Sequence, residues 1–305
     1  MKFQILIVCG FLLLATLLNA QQINIQDNQH ILQLVDEQVK ERHEFFGLAS
    51  YYNQVHYYRV DQTDIYRINA DTEPVILESG EWFAAVGRFS ALVFQASGVE
   101  IHIDQKTTRL TIKQLPQGLK ATIVGKPELA TIAQELDQLR YHHLWDPFAT
   151  LAKFSEGTLL WIQKNVVSSW TLVIVVFAIL IKLLLLPLAI WTVKFQRRVS
   201  EVQTILSPKL SQIKKKYDGE EAHDRLMAAH KELGVSPFYT LKPLLATLIQ
   251  IPVLIAIFNA LGEMPQLAGA TFLWVDDLAY PDVVMQLSTS IPLVGNQVSL
   301  LPFLM

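Results

Sequence analysis

Hydrophobic and polar positions divide the chain into regions of different period. The first is an apolar run from Ile5 to Leu18, set between Met1-Lys2 and Asn19-Ala20-Gln21. Residues 21–50 carry helical spacing that turns polar. From Tyr51 to Leu115 the pattern alternates, and HYYRV, DIYRIN, PVILES, VEIHID and RLTIKQL read as short strands between turn residues. Helical spacing returns from Glu128 to His143. Beyond Trp170 long apolar runs take over: WTLVIVVFAILIKLLLLPLAIW over 170–191 and LKPLLATLIQIPVLIAIFNAL over 241–261. Each is long enough to span a bilayer, which needs about 20 apolar residues. A third run starts near Ile291 and is still apolar at SLLPFLM, so 291–305 reads as the beginning of a further span.

Residues 1–20 have a basic tip, an apolar stretch and a small residue at the end. That describes a signal peptide or, alternatively, a first membrane helix. Either one carries the segment 21–144 across the membrane as a periplasmic β-rich domain. The short loops give the same orientation. Residues 192–240 hold nine Lys or Arg, whereas 262–290 hold none and carry Glu263, Asp276, Asp277 and Asp282. Basic loops stay in the cytoplasm.

Between the spans, Val199, Val202, Leu206, Leu210, Ile213 and Tyr217 recur at helical spacing. Asp218-Gly219 makes a turn, and Ala222, Leu226, Ala229 and Leu233 repeat the period. This predicts an antiparallel helical hairpin with an apolar seam inside 192–240. Ser207-Pro208 fits an N-cap followed by a first helical residue, so a helix is expected to restart there. Lys209, Lys214, Lys215 and Lys216 lie off the seam. They are either a solvated face or a dock for ribosomal RNA or anionic headgroups. Residues 145–169, with Phe148, Leu151, Phe154, Trp161 and interspersed lysines, suit a helix lying in the outer interface. His142-His143 reads as a solvated helix end, because adjacent residues point to different helix faces.

Composition narrows the chemistry. Apolar residues make up 51% of the chain, charged residues 17%, and the net charge is −3. This excludes a general polyanion binder, and no DNA partner is expected. The lone cysteine, Cys9, cannot build a disulfide or thiolate metal site. No nucleophile-elbow or zinc-ligand spacing occurs, which disfavours a hydrolase. Lys182 stands out, near the middle of 170–191. A central Lys costs roughly 2.5–3.5 kcal/mol on insertion scales, against a return of about 0.3–0.6 per central Leu, Ile, Val or Phe. An intramembrane cation is a functional candidate. Ala178 and Ala189 share its face. Thr247 and Gln250, three apart in the second run, add a polar stripe, and together these residues suggest a hydrated cavity between helices.

The ordered set IKLLLLPLAIWTVKFQRRVSEVQTILSPKL, the hairpin, KELGVSPF, PLLATLIQIPVLIAIFNAL, FLWVDDL and SLLPFLM resembles the core of the YidC/Alb/Oxa family of membrane protein insertases over about residues 145–305. The resemblance implies an α-helical polytopic membrane core over 170–305 with a small periplasmic β-rich domain and a cytoplasmic helical hairpin. It also implies a hydrophilic groove carrying Lys182, Thr247 and Gln250, in a multi-pass protein of the bacterial cell inner membrane. The partners it implies are nascent membrane proteins, membrane lipids, the Sec translocon and the ribosome; because no bond is broken in that process, it implies no enzyme, no catalytic residue, no cofactor and no metal. The family residue at position 182 is usually Arg. Ser236-Pro237-Phe238-Tyr239-Thr240 stands where the family has Asn-Pro and a Gly pair, and the domain over 21–144 is shorter than in typical members. A solute or ion transporter using Lys182 and a membrane-anchored periplasmic sensing module are the alternatives.

Overall fold

The computed structural model describes residues 20–70, 73–104, 110–232, 234–236, 242–291 and 295–299. The expected signal peptide or first membrane helix lies almost wholly outside these residues. The chain forms two compact units, one of residues 1–156 with 258–305 and the other of 157–257.

The first unit opens with β1 (Gln21–Asn24), α1 (Asn28–Leu34), a π-helical turn over Val35–Val39 and a 3₁₀ stretch over Gly47–Asn53. Asp27 caps α1, its carboxylate accepting from the His30 N–H at 2.8 Å. Eight strands follow: β2 (His56–Val60), β3 (Ile65–Ile68), β4 (Val75–Ile76), β5 (Trp82–Val86), β6 (Ser90–Gln95), β7 (Glu100–Ile103), β8 (Leu110–Lys113) and β9 (Lys120–Gly125). They form an antiparallel six-stranded sheet ordered β1-β9-β6-β5-β2-β3 and a three-stranded sheet ordered β4-β7-β8.

All five expected strands are present. β1 replaces the expected helical start of 21–50. β5, β6 and β9 are strands that alternation did not reveal, because both faces of the large sheet are covered. Phe83, Ala85, Leu92, Phe94 and Ile123 pack with Ile101, Leu110 and Ile112 of the small sheet and with Ile31 and Leu34. On the opposite face Ala84, Val86, Ala91, Val93 and Val124 meet Leu129, Leu136 and Leu139. A strand buried on both faces reads as a continuous apolar run. The expected helix over 128–143 is broken into α2 (Leu129–Ile132) and a 3₁₀ stretch over Gln134–Leu139.

α3 (Asp146–Asn165) joins the units. Ala152, Ser155, Glu156, Leu159 and Ile162 are buried along one face, while Trp145, Phe154 and Trp161 are exposed. In the second unit α4 (Trp170–Lys216) is one unbroken helix. The restart expected at Ser207-Pro208 does not occur. Pro208 removes one backbone donor, and the helix continues because its seam residues keep their period against α5 (Gly219–Glu232). Leu206 and Ala229 are buried there, with Val199, Val202, Leu210 and Ile213 beside them. α6 (Lys242–Gly262) carries the second apolar run.

The first unit resumes at Phe258, in the last turn of α6, and continues with a compact loop and then β10 (Val283–Ile291) paired antiparallel to β11 (Gly295–Ser299). Of the stretch near 291–305 expected to begin a third span, the described residues Ile291 and Gly295–Ser299 lie in strands. Residues 292–294 and 300–305 lie outside the described set.

Candidate functional site: an apolar helix with one internal lysine, and a buried charge cluster

Among the described residues one helix is long and apolar enough to cross a membrane. It covers Trp170–Ile213, with mean hydropathy 3.0 in its most apolar window. Only 11% of that window is buried within the protein. Leu172, Val175, Ile179, Leu183, Leu184 and Ile190 stand exposed. In water such a surface would be unfavourable by roughly 25 cal/mol per Å², so this helix suits an apolar solvent. At 1.5 Å per residue α4 is about 70 Å long, more than twice the hydrocarbon thickness of about 30 Å.

Lys182 lies about 18 Å from the Trp170 end of α4, at mid-depth if that end sits at an interface. Its side chain is exposed, as are those of Ala178 and Ala189 on its face. Among the described residues no hydrogen-bond or ion-pair partner engages it. One turn on, Pro187 lies inside the helix. Lacking an N–H, it leaves the Leu183 carbonyl without its helical donor. A lysine and a backbone acceptor without its helical donor thus follow one another along an otherwise apolar stretch. Gln250 is half-buried in α6. Thr247 lies three residues earlier on the same helix, and its side chain is outside the described set.

The hairpin's basic face is partly neutralised. Lys209 pairs with Glu232 at 3.2 Å and Arg225 with Glu221 at 3.0 Å. Lys215 and Lys216 remain exposed, and the side chain of Lys214 lies outside the described set. Arg225 stacks over the Tyr217 ring at 4.0 Å and Lys216 approaches the same ring at 5.6 Å. Arg225, which sequence spacing did not single out, joins Lys209, Lys216 and Tyr217 around a cleft of about 550 Å³.

Sequence reading missed a second cluster altogether, inside the first unit. The turn joining β5 to β6 presents Arg88. Gly87 is required there because a Cβ would collide with the Val39 carbonyl. The Ser90 hydroxyl donates to the Gln38 carbonyl at 2.7 Å. Held in this way, the Arg88 guanidinium is 5% exposed. It donates to the carbonyls of Gly262 and Ala279, each at 2.7 Å, and pairs with Glu41 at 3.3 Å. The rings of Phe45, Phe89, Tyr52 and Tyr280 surround it at 4.3–5.5 Å.

Beside it, Lys126 pairs with Glu263 at 2.6 Å, both buried. Glu263 also faces His143 Nδ1 at 3.7 Å, and the His143 Nε2 side meets Asn259 Oδ1 at 2.8 Å. The Tyr51 ring stacks between His143 and His56, at 4.3 Å from each. His56 Nδ1 in turn meets Arg67 Nη2 at 2.7 Å. Burial, reinforced by the Arg67 charge, pushes the His56 imidazole down to about 4. Burial also lowers His143, against the pull of Glu263. Tyr280 is pushed up to about 12 by burial and by Glu41. Both imidazoles are neutral acceptors or donors in a packed network. His142 is exposed as expected, but His143 is a half-buried member of the cluster and not part of a solvated helix end. Among the described residues no group of His, Cys, Asp and Glu is arranged to hold a metal ion.

Residues 161–305 match the family model described as the 60Kd inner membrane protein. The chain is 36% identical over 169 residues to the membrane protein insertase YidC of Chlamydia trachomatis serovar D, covering 54% of this chain and 20% of that relative. The protein of the same name from Chlorobaculum parvum is 35% identical over 147 residues, 48% of this chain and 24% of the relative. That of Chloroherpeton thalassium is 36% identical over 144 residues, 47% and 23% respectively. The matched stretch thus covers less than a quarter of the length of each of these relatives, and the β-rich region before it lies mostly outside the match.

Proposed function

We propose, from the match of residues 161–305 to the model of the 60Kd inner membrane protein family, that the chain is a membrane protein insertase and chaperone of the YidC/Alb/Oxa family in the bacterial inner membrane. The observation that carries the reading is Lys182, which has no partner among the described residues, inside a helix whose apolar surface is left uncovered. The proposed orientation follows from charge. The basic hairpin of α4 and α5 is cytoplasmic, the β-rich unit is periplasmic, and α3 lies in the outer interface with Trp145, Phe154 and Trp161 in lipid.

In this mechanism Lys182, the Leu183 carbonyl, Thr247 and Gln250 line a hydrated groove. A wet positive groove lowers the desolvation penalty for a hydrophilic segment partway across the bilayer. Lys182 attracts acidic residues of the incoming chain as a point charge, without the planar fork an Arg would offer. The apolar flank of α4 then lets the client helix pass into lipid. No covalent bond changes, so the residues bind and orient and none is catalytic. Nascent membrane proteins and lipids are the partners, with the Sec translocon and the ribosome as further candidates, the ribosome at the Lys215 and Lys216 face.

The test is rescue of a small phage-coat-type client in cells depleted of their own insertase, using the gene with its natural flanks. Rescue by wild type and Lys182→Arg with failure of Lys182→Ala supports the groove. Equal rescue by all three keeps the insertase reading and removes Lys182 from it. Failure of a wild-type protein that is present in the membrane removes the insertase reading. It would favour a sensing module, for which a polar cleft of about 810 Å³ between Asp36, Lys40, His56 and Arg67 is the natural site.

A further inference from the structure

The loop after α6 is closed on itself. Leu278 N–H donates to the Ala270 carbonyl at 2.8 Å, Phe272 and Val275 exchange backbone bonds at 2.8–2.9 Å, and Met264, Leu267, Val275 and Ala279 are buried. Both ends of this loop, at Gly262 and Ala279, are held by one guanidinium from the β5–β6 turn. A second pin, Lys126 at the end of β9, takes Glu263 in the same loop. The charges are complementary: residues 262–290 carry acidic groups and no Lys or Arg, and the β-rich region supplies both cations. A planar guanidinium reaching two carbonyls and a carboxylate fixes direction as well as distance. Removing one member of such a buried set leaves the others without partners.

We propose that Arg88 and Lys126 form a two-point latch by which the β-rich region grips segment 262–280 and restrains the end of α6 from which that segment emerges. Arg88 is then a positioning residue. It touches no client; it holds the last turn of α6, at Gly262, in place while a client passes. This rests on the insertase reading for its consequence, though not for the latch itself. It also gives the β-rich region a role that its position outside the family match leaves open.

Two readouts on the full chain in lipid vesicles and in cells separate the possibilities. Hydrogen exchange is followed for backbone amides of 262–280 and, as internal reference, of β5 and β6. Arg88→Lys keeps the charge but cannot bridge both carbonyls. Its expected effect is exchange at least tenfold faster in 262–280, with the strands unchanged, and a severalfold fall in client insertion. Lys126→Glu is expected to do the same, and the swap Lys126→Glu with Glu263→Lys to restore both readouts, a rescue that simple loss of packing would not give. If exchange in 262–280 stays at the wild-type rate in both single variants, the latch is wrong. If exchange accelerates while insertion holds at the wild-type level, the loop is held but positions nothing, and the proposal is overturned. If wild type fails to insert while the exchange pattern is as expected, the latch stands and the insertase reading falls.

Discussion

Arg88 Nε donates to the Gly262 carbonyl at 2.7 Å across 174 positions of sequence. The contact joins a turn of the β-rich region to the last residue of the second apolar helix, and it constrains what can occupy position 262. A Cβ on Gly262 would collide with the Tyr52 hydroxyl, with Tyr52 Cζ at 3.1 Å. Tyr52 also flanks the guanidinium, at 5.2 Å. Gly262→Ala should therefore displace Tyr52 and Arg88 together and destabilise the first unit by roughly 1–3 kcal/mol, the range of overpacking. Thermal unfolding followed by near-ultraviolet circular dichroism, which reports the aromatic cage, checks this. An unchanged midpoint would mean that the cage yields freely.

Gly87 sits under a harder constraint. The obstacle there is backbone, the Val39 carbonyl, and not a side-chain tip. Gly87→Ala must push the β5–β6 turn away from the π-helical turn and break the Ser90 to Gln38 bond with it. The expected loss is roughly 3 kcal/mol or more, at the severe end for single substitutions. Gly80 has open space around its Cβ position, but its φ of +94° makes it a poor neutral control. Gly157, with nothing nearby and no positive φ, serves better and should change stability little. Comparative denaturant midpoints of the two variants give the answer.

Acid should loosen the β-rich region. His56 titrates near 6.5 when unfolded and near 4 when folded. Its neutral form is therefore favoured by folding, and the unfolded state binds more protons between these values. Stability is fully present above about 6.5 and is lost as pH falls toward 4. Solvent reaches the Arg67 side of the pair and trims the effect to roughly 1–2 kcal/mol. His143, also lowered by burial, adds in the same direction. His56→Gln should flatten that part of the stability–pH curve. A curve of wild-type shape in the variant would exclude His56 as its source.

How much of this was legible beforehand depends on where each partner lies in sequence. HYYRV and VEIHID alternate because one face of each strand is less covered, and their strands were readable. WFAAV and SALVFQ are buried on both faces and carry no period to read. The α4–α5 seam was readable because its partners lie within one local hairpin. Ser207-Pro208 misled, since tertiary packing on Leu206 outweighs one missing backbone donor. Arg88, Lys126 and Glu263 were invisible as a site. Each is a single charge beside an apolar stretch, and the contacts of Arg88 and Lys126 with 262–279 span 137 to 191 positions. The one hint was that setting: AAVGRF, TIVGK and NALGE each place a charge directly after a glycine that ends an apolar run.

The hairpin offers a local test of packing. Among the described residues Leu206 and Ala229 are the buried pair of its seam, with Val199, Val202, Leu210, Ile213 and Val235 partly covered. A 14-residue helix such as α5 is marginal alone and depends on that contact. Leu206→Ala should cost about 2–3 kcal/mol, enough to detach α5. Protease sensitivity near Asp218-Gly219 should rise while α4 stays helical. If cleavage is unchanged, α5 is held by something other than this seam.

The proposed groove charge makes the sharpest functional prediction. If Lys182 acts by attracting acidic residues of the client, its effect must depend on the client's own charge. A client with an acidic translocated tail should lose most of its insertion with Lys182→Ala. The same client with those residues changed to Asn or Gln should insert nearly as well with either groove. The interaction term of that double-mutant cycle isolates the pairing from general damage to the helix. For a partly hydrated pair it should amount to about 1 kcal/mol, a severalfold difference in insertion efficiency. Lys182→Glu should invert the preference, favouring basic tails over acidic ones. A uniform loss across all tails would instead mean that Lys182 keeps the groove hydrated, with no part in selecting the client's charge.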